Sequence, residues 1–275
     1  MEAAVAVGRE LGLTVAKPRV LRDLTNVVVH LAPSPVVARV SVTFARLRGR
    51  EWIEGELALV AALRERGLPV AGPAGAAAPG PHARDGFLVS LWDYVENDPE
   101  GPLDAAAAGA GLLRIHEALA ELPATGLAHY ARLDELTALV ADLRLEPPEQ
   151  ELLERGLEAA AGVVASIDAP LQPVHGDAYL ANVLRTSSGP VWADFENTCL
   201  GPRELDLVGL TIRATPAGAE ALAAYGEHDA ELVQTLRPVH ALFLAAWTCA
   251  LAERAPQVRP YAHERLGWVR EGFGL

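Results

Sequence analysis

The segment HGDAYLANVLRTSSGPVWADFE, residues 175–196, is the part of the sequence that decides the fold. Two short runs suited to β-strands, Asn182–Arg185 and Pro190–Asp194, flank the turn-forming triplet Ser187-Ser188-Gly189. Such runs on either side of a glycine-containing turn are typical of a β-hairpin. The sequence therefore predicts a hairpin here, within a region that otherwise has helical patterning.

Three oxygen-bearing side chains are placed around this hairpin. Asp177 precedes it, Asn182 opens its first strand and Asp194 closes its second. Because a hairpin returns the chain to the end where it began, we expect the three side chains to lie near one another. Magnesium-dependent phosphoryl transfer needs such a set. One carboxylate orients the attacking hydroxyl and accepts its proton, while an amide and a second carboxylate hold Mg²⁺.

The order H-x-D-x-x-x-x-N, followed by D-F-E, matches the catalytic loop of protein kinases and the position of their D-F-G motif. With Gly176 after His175, Glu196 closing D-F-E, and Gly201-Pro202 beyond it, the sequence resembles the aminoglycoside phosphotransferase family. That family belongs to the kinase-like superfamily, with choline and homoserine kinases. The resemblance implies an α+β, bilobal protein-kinase-like fold with a small sheet-containing N-terminal lobe and a larger, mainly helical C-terminal lobe.

The resemblance also implies roles for the residues of these motifs. Asp177 is expected to be the catalytic base, and Asn182 and Asp194 are expected to be the metal ligands. His175 and Asp206 are expected to support the catalytic loop through hydrogen bonds and to take no part in the chemistry.

In the kinase-like fold, a basic residue on the third strand contacts the nucleotide phosphates and pairs with a glutamate on the next helix. The predicted strand VVARV fits this position, so the resemblance assigns these roles to Arg39 and Glu56, with Glu51 and Glu54 as nearby alternatives for the pairing. Lys17, the only lysine, precedes the predicted sheet and cannot fill the place. Arginine binds phosphate through two parallel hydrogen bonds, with a reach and geometry that differ from those of lysine.

Further nucleotide contacts follow from the resemblance. The loop that ends at Asn26 would lie over the phosphates, which makes Asn26 a candidate. The adenine would bind backbone groups where the chain leaves the first lobe, so Asp93 and Val95 are assigned there. For Glu196 two roles stay open, one at the metal site and one in satisfying the loop. The sequence assigns no acceptor-binding residue.

Patterning along the chain predicts the remaining organisation. The polar, turn-forming segment 96–102 is the predicted linker, so that residues 1–95 form a nucleotide-binding lobe and residues 96–275 form a helical lobe with the catalytic loop and acceptor site. Residues 67–83 are expected to be a loop, and Pro238 is expected to start or kink a helix. Strands are predicted at 19–24, 26–32, 36–43 and 87–95, and helices at 2–13, 50–66, 104–122, 132–143 and 149–166, with further helices from Glu204, Pro216, Asp229 and Arg259.

Composition excludes several classes of protein. The 275 residues include 36 acidic and 23 basic side chains, and the formal net charge of -13 argues against nucleic-acid binding. The two cysteines cannot build a disulfide framework and fit a reducing compartment. The first residues have a helical pattern without a basic start, and the longest apolar stretch, Ala241–Ala252, is too short to span a bilayer. We therefore expect a cytoplasmic protein with no membrane or nucleic-acid partner.

Together these features predict an enzyme that uses ATP or GTP with Mg²⁺ to phosphorylate a hydroxyl of a small molecule. The family points to an aminoglycoside or another natural-product antibiotic as acceptor, and so to antibiotic resistance. One alternative is a metabolic kinase for choline, homoserine, a nucleoside or a sugar amine. Another is a nucleotide-binding protein without turnover. Its only support is the absence of lysine at position 39, and the intact Asp177, Asn182 and Asp194 argue against it. A protein-substrate kinase fits less well, because no A-P-E motif follows D-F-E.

Overall fold

The computed structural model of the chain describes residues 1–43 and 48–275. These residues form two compact units. Unit 1 comprises Met1–Leu122 and Ala181–Asn197, and unit 2 comprises Pro123–Leu180 and Thr198–Leu275. The boundary after residue 95 rests on the linker-like composition of residues 96–102, and it stays a prediction.

Unit 1 contains a five-stranded antiparallel sheet with the order β1-β2-β3-β5-β4. Its strands are β1 (Arg19–Asp23), β2 (Asn26–His30), β3 (Val36–Ser41), β4 (His82–Arg84) and β5 (Phe87–Asp93). Four of them were predicted, with ends one or two residues longer. β4 was missed and lies partly in the stretch predicted as a loop.

Alternation along β3 sets the direction of Arg39. Val36, Ala38 and Val40 are buried in a core that also contains residues of helix α1 (Glu2–Glu10). Because successive side chains of a strand point to opposite faces, Arg39 lies on the face away from that core. In the sheet register, Arg39 is opposite Val28 of β2 and Ser90 of β5.

Helix α2 (Arg50–Glu65) follows β3 along the chain, after the undescribed residues. Its buried residues recur at the helical period and include Ile53, Leu57, Val60 and Leu63. Glu56 belongs to the same buried stripe, with 5% of its surface exposed. A carboxylate buried among apolar side chains requires a partner, since an unpaired buried charge is costly.

Unit 1 also holds helix α3 (Ala105–Ala120) and the predicted hairpin, which consists of β7 (Val183–Thr186) and β8 (Gly189–Trp192). Trp192 fixes the hairpin in this unit. Its indole is fully buried and donates a hydrogen bond to the carbonyl of Ala108 at 3.0 Å. Its backbone pairs with Pro69 and Ala71, at 2.8 Å for each hydrogen bond. The hairpin prediction is confirmed, with strand ends shifted by one or two residues.

Unit 2 is mainly helical. Its helices are α4 (Leu133–Asp142), α5 (Pro147–Ser166), α6 (Glu204–Thr211), α7 (Pro216–Tyr225), α8 (Ala230–Arg254) and α9 (Arg259–Phe273). A two-stranded antiparallel pair joins β6 (Gln172–Val174) to β9 (Cys199–Gly201), and neither strand was predicted. The two units together confirm the predicted α+β class, with a sheet-containing N-terminal part and a helical C-terminal part.

Helix α8 forms the core of unit 2. Pro238 was expected to start or kink a helix. It lies in the interior of α8, so it does not start that helix. By length and composition α8 is the one helix of the described chain that could cross a membrane, and 78% of its apolar window is buried inside the protein. That burial is typical of a core helix.

Candidate active site

Arg39 and Glu56 form a two-armed ion pair in unit 1. Nη1 of Arg39 donates to Oε1 of Glu56 at 2.8 Å, and Nη2 donates to Oε2. The side chains are 10% and 2% exposed. The Trp92 ring centroid lies 4.9 Å from the guanidinium carbon and covers one face of it. The structure thus brings together the strand and helix residues that the sequence paired.

The same guanidinium lies near both acidic residues of the D-F-E motif. Nη1 of Arg39 lies 3.6 Å from Oδ1 of Asp194 and 4.0 Å from Oε2 of Glu196. Burial alone would lower the pKa of Arg39, but the carboxylates of Glu56, Glu196 and Asp194 together raise it above its ordinary value. Burial, and next the Asp194 carboxylate, raise the pKa of Glu196. Arg39 is therefore paired with Glu56 and lies near two further acidic side chains, those of Asp194 and Glu196.

Glu196 is anchored from three directions. Its Oε2 accepts a hydrogen bond from Nδ2 of Asn26 at 2.7 Å, and its carbonyl accepts one from Nε1 of Trp52 at 2.6 Å. Nη1 of Arg48 lies 3.3 Å from the same carbonyl. Asn26 is buried at the start of β2, and its Oδ1 has no hydrogen-bond partner among the described residues. Of the two roles left open for Glu196, these contacts favour the one within the loop.

Asn182 directly precedes β7 and Asp194 closely follows β8, so both residues lie at the open end of the hairpin. The amide of Ala193 donates to the carbonyl of Asn182 at 2.9 Å, which closes the hairpin between them. Asp194 has a φ of 68°, in the left-handed region that non-glycine residues rarely occupy. Arg22, half exposed, places Nη1 3.7 Å from Oδ2 of Asp194.

The Asp194 carboxylate has the features of a cation ligand. Its Oδ1 is buried and has no hydrogen-bond partner within residues 1–43 and 48–275. Carboxylate and amide oxygens are the ligands that hard divalent cations prefer, and Mg²⁺ commonly takes one or two of them together with phosphate oxygens and water. In the part of the chain that the structure describes, no group of three or more His, Cys, Asp or Glu side chains is arranged to hold a metal. The buried Oδ1 of Asp194 fits a ligand of such a smaller site. A metal contact for Asp194 or Asn182 stays a prediction.

In unit 2, Asp206 of α6 holds the start of the HGD motif. The amides of His175 and Gly176 donate to Oδ2 and Oδ1 of Asp206, each at 2.8 Å. The amide of Asp177 donates to Nδ1 of His175 at 3.3 Å. The three consecutive backbone amides that end at Asp177 therefore donate hydrogen bonds to Asp206 and His175. These are the two residues that the sequence assigned to loop support.

Sequence reasoning missed Tyr179 and His240. The amide of Tyr179 donates to the carbonyl of Asp177 at 2.8 Å, and the Tyr179 hydroxyl lies 3.2 Å from Nε2 of His240 on α8. Sixty-one residues separate the two side chains in the sequence. No local pattern reports a pair at that separation, although a histidine in the apolar stretch of α8 is itself unusual.

The two residues proposed for the adenine lie at the end of β5. Asp93 accepts a hydrogen bond from the amide of Gly75 at 3.0 Å, and its other oxygen lies 3.7 Å from Nη2 of Arg64. The carboxylate of Asp93 thus contacts both the loop at Gly75 and helix α2. Val95 follows the strand and is half-buried. A nucleotide contact for either residue stays a prediction.

Comparison with known proteins supplies the family. A comparison with curated proteins finds no match. Among solved structures, choline kinase LicA from Streptococcus pneumoniae is 12% identical with a TM-score of 0.74, covering 100% of this chain and 99% of that one. Amicoumacin kinase hAmiN, solved with AMP-PNP, is 13% identical with a TM-score of 0.72, covering 97% and 92%. A microcompartment-associated aminopropanol kinase is 20% identical with a TM-score of 0.68, covering 94% and 91%.

These structural likenesses confirm the predicted kinase-like fold. At sequence level, the model of the APH phosphotransferase enzyme family matches residues 19–243. The match runs from the first strand of the sheet into α8, so it includes the Arg39–Glu56 pair, the HGD loop, the hairpin and the D-F-E motif. The chain therefore belongs to the phosphotransferase enzyme family, as its motifs indicated.

Proposed function

We propose that this chain transfers the γ-phosphoryl group of ATP or GTP to a hydroxyl group of a small molecule, an aminoglycoside-like or other natural-product antibiotic. The observation that carries the proposal is the buried arrangement of Arg39, Glu56 and Asp194 in unit 1. Kinases of this kind bind the nucleotide phosphates with a basic side chain next to a carboxylate that holds Mg²⁺. Arg39 and Asp194 are the proposed pair. Phosphorylation of the antibiotic in the cytoplasm would inactivate it, and so confer resistance.

Arg39 is the proposed phosphate ligand, oriented by Glu56. The two-armed contact with Glu56 holds the guanidinium plane, and the Trp92 ring supports its face. A planar guanidinium presents donors to phosphate oxygens in a fixed fork, so an arginine fixed in this way can replace lysine. Asn26, which begins β2, and the segment Asp93–Val95 complete the proposed nucleotide site.

Asp194 and Asn182 would hold Mg²⁺. When bound there, the metal neutralises the negative charge of the phosphates. The buried Oδ1 of Asp194 that lacks a hydrogen-bond partner in the described chain supports this assignment. The positive φ of Asp194 costs conformational energy. Residues with such strained backbones cluster at active sites, which agrees with the proposed role.

Asp177 is the proposed base. Its carboxylate orients the acceptor hydroxyl and takes its proton while the hydroxyl oxygen forms a bond to the γ-phosphorus. The bond from the γ-phosphorus to the β,γ-bridging oxygen breaks, and the nucleoside diphosphate leaves with the electron pair. The hydrogen bonds of Asp206 and His175 to the loop support this role, because they hold the backbone from which the carboxylate extends.

A small-metabolite kinase is the second candidate. Two of the similar structures are named for choline and for aminopropanol, and both of these acceptors carry a nitrogen and a hydroxyl group. Homoserine, nucleosides and sugar amines belong to the same candidate class. A nucleotide-binding protein without turnover is not favoured, because Asp177, Asn182 and Asp194 are all present.

The test is a screen of nucleotide consumption with antibiotics and small hydroxylated amines, followed by Asp177→Asn on the best acceptor. Asparagine keeps the size of the side chain and removes its charge, so turnover should fall by about 10²–10⁴-fold while MgATP affinity is nearly unchanged. Asp168→Asn, at an exposed position of the same unit, is the matched control and should leave turnover unchanged. An Asp177 variant as fast as the parent would contradict the assignment. MgATP binding without any acceptor would favour the non-catalytic alternative.

A further inference from the structure

The loop of residues 175–179 is contacted by two helices of unit 2, α6 and α8. Asp206 of α6 accepts hydrogen bonds from its first two amides. Gly209, also on α6, approaches it so closely that a Cβ atom there would lie 2.8 Å from the carbonyl oxygen of Ala178. The third contact comes from α8, through the side chain of His240. The contacts from α6 hold the residues before and after Asp177, and the contact from α8 holds Tyr179.

The contact with α8 is a neutral pair. Burial lowers the pKa of His240 to about 4, an effect that Asp206 opposes and Arg265 reinforces, so the imidazole is uncharged at neutral pH. Burial, and next the carboxylate of Asp177, raise the pKa of Tyr179, so the phenol keeps its proton. The two rings are stacked, with centroids 5.8 Å apart and planes at 21°. A hydroxyl and a neutral imidazole in this geometry share one hydrogen bond.

We propose that Tyr179 and His240 are a positioning pair for Asp177. The inference rests on the proposed function, in which Asp177 is the base. The Tyr179 amide is bonded to the Asp177 carbonyl, so a Tyr179 side chain fixed on α8 also fixes the backbone that carries the carboxylate. Helix α8 is a suitable reference, because it contributes more buried residues than any other helix of unit 2 and cannot shift without disturbing the core.

A pair that only stabilised the fold would act on the whole unit. A positioning pair acts on the angle and reach of one carboxylate, and displacement of a reacting group by about 1 Å costs roughly 100-fold in rate. The kinetic signature is therefore a loss in kcat with an unchanged KM for MgATP, since neither residue belongs to the proposed nucleotide site.

The experiment compares Tyr179→Phe, His240→Leu, their double variant and His240→Gln. Phenylalanine keeps the ring and removes only the hydroxyl, while glutamine keeps an amide that can bond to that hydroxyl. We expect Tyr179→Phe and His240→Leu each to lower kcat by about 10- to 100-fold with KM for MgATP within about twofold of the parent. The double variant should lose no more than either single variant, because both remove the same hydrogen bond. His240→Gln should recover part of the loss.

A second measurement does not depend on turnover. Amide hydrogen exchange by NMR should be about tenfold faster at Tyr179 in Tyr179→Phe, with the helices of unit 2 unchanged. Tyr130→Phe is the matched control, because Tyr130 is a buried tyrosine of unit 2 that packs on Gly201. It should leave both kcat and the exchange of the loop unchanged.

Three results would overturn the inference. One is an unchanged kcat and unchanged loop exchange in Tyr179→Phe. Another is additive loss in the double variant. The third is faster exchange throughout unit 2, which would make the pair a general stabiliser. If the parent transfers phosphate to no acceptor, the proposed function fails, and the exchange rates alone then decide whether the pair restrains the loop.

Discussion

Arg39 stands where most kinases of this fold carry lysine, and its contacts show what a guanidinium adds. One ammonium group would have to divide its donors among three carboxylates. The guanidinium bonds to both oxygens of Glu56 and still presents Nη1 to Asp194 and Glu196. Both partners of the main pair are buried, so removing one of them would leave an uncompensated buried charge.

Stability measurements test this pair. Arg39→Met should lower the free energy of unfolding by about 3–5 kcal/mol, because it leaves the buried Glu56 carboxylate without its counter-ion. Adding Glu56→Gln should restore part of the loss, so the double-mutant cycle should show strong coupling. Urea unfolding measures all four proteins. The exposed pair Arg213–Glu264 is the control, and its coupling should stay below about 1 kcal/mol. Additive effects at Arg39 and Glu56 would contradict the pairing.

Metal binding can be tested at the two ends of the hairpin. Asp194→Ala should weaken MgATP binding more than Asn182→Ala, because a carboxylate offsets cation charge and a neutral amide does not. The loss at Asp194 should reach at least the roughly 10- to 100-fold that is typical when a group supporting a metal ligand is removed. Calorimetry with and without Mg²⁺ measures it, and the exposed Asp168→Ala serves as the control. Undiminished MgATP affinity in Asp194→Ala would refute the assignment.

At the scale of elements, the sequence predicted the helices and strands whose apolar residues recur at a regular spacing, and the hairpin with a clear turn. β3 alternates, α2 has a helical stripe, and the triplet at 187–189 marks the hairpin turn. The three-residue strands β4, β6 and β9 are too short for any period to develop. Only β4 had a readable signal, because Asp85-Gly86 is a typical hairpin turn and both residues have positive φ. Contacts such as Asn26–Glu196 join segments 170 residues apart, and a single sequence holds no record of them.

Helix α6 depends on a close approach that one substitution would block. Gly209→Ala places a Cβ atom 2.8 Å from the backbone oxygen of Ala178, which cannot move without displacing the loop of residues 175–179. The free energy of unfolding should fall by about 1–3 kcal/mol. Turnover should fall as well. Gly162→Ala, at an exposed position in α5 with open space around it, should instead stabilise by about 0.5–1 kcal/mol. Urea midpoints for the two variants should move in opposite directions, and a neutral Gly209→Ala would contradict the packing argument.

At the scale of the whole molecule, charge is the property that bears on the acceptor. The net charge of -13 gives the surface a negative potential that attracts amine-bearing molecules. Salt screens attraction between exposed charges over about 10 Å at 0.1 M ionic strength. The KM of an amine-bearing acceptor should therefore rise with salt, while that of an uncharged acceptor should not. Steady-state kinetics over a range of salt concentrations measures this difference. A salt-independent KM for the amine would remove the charge argument and leave the phosphotransferase assignment intact.

The discontinuity of unit 1 has a consequence for how the protein is made. A ribosome completes residues 1–122 and then the whole of 123–180 before it delivers the hairpin that packs with the first segment. At roughly 5–20 residues per second, the interval lasts several seconds. During that time Trp192 has not yet been synthesised, so the surface that it covers and the carbonyls of Ala108 and Pro69 are exposed on the nascent chain. We expect the emerging polypeptide to recruit chaperones at this stage. Truncated chains that end between Leu122 and Trp192 lack the hairpin of unit 1, so we expect proteases to degrade them.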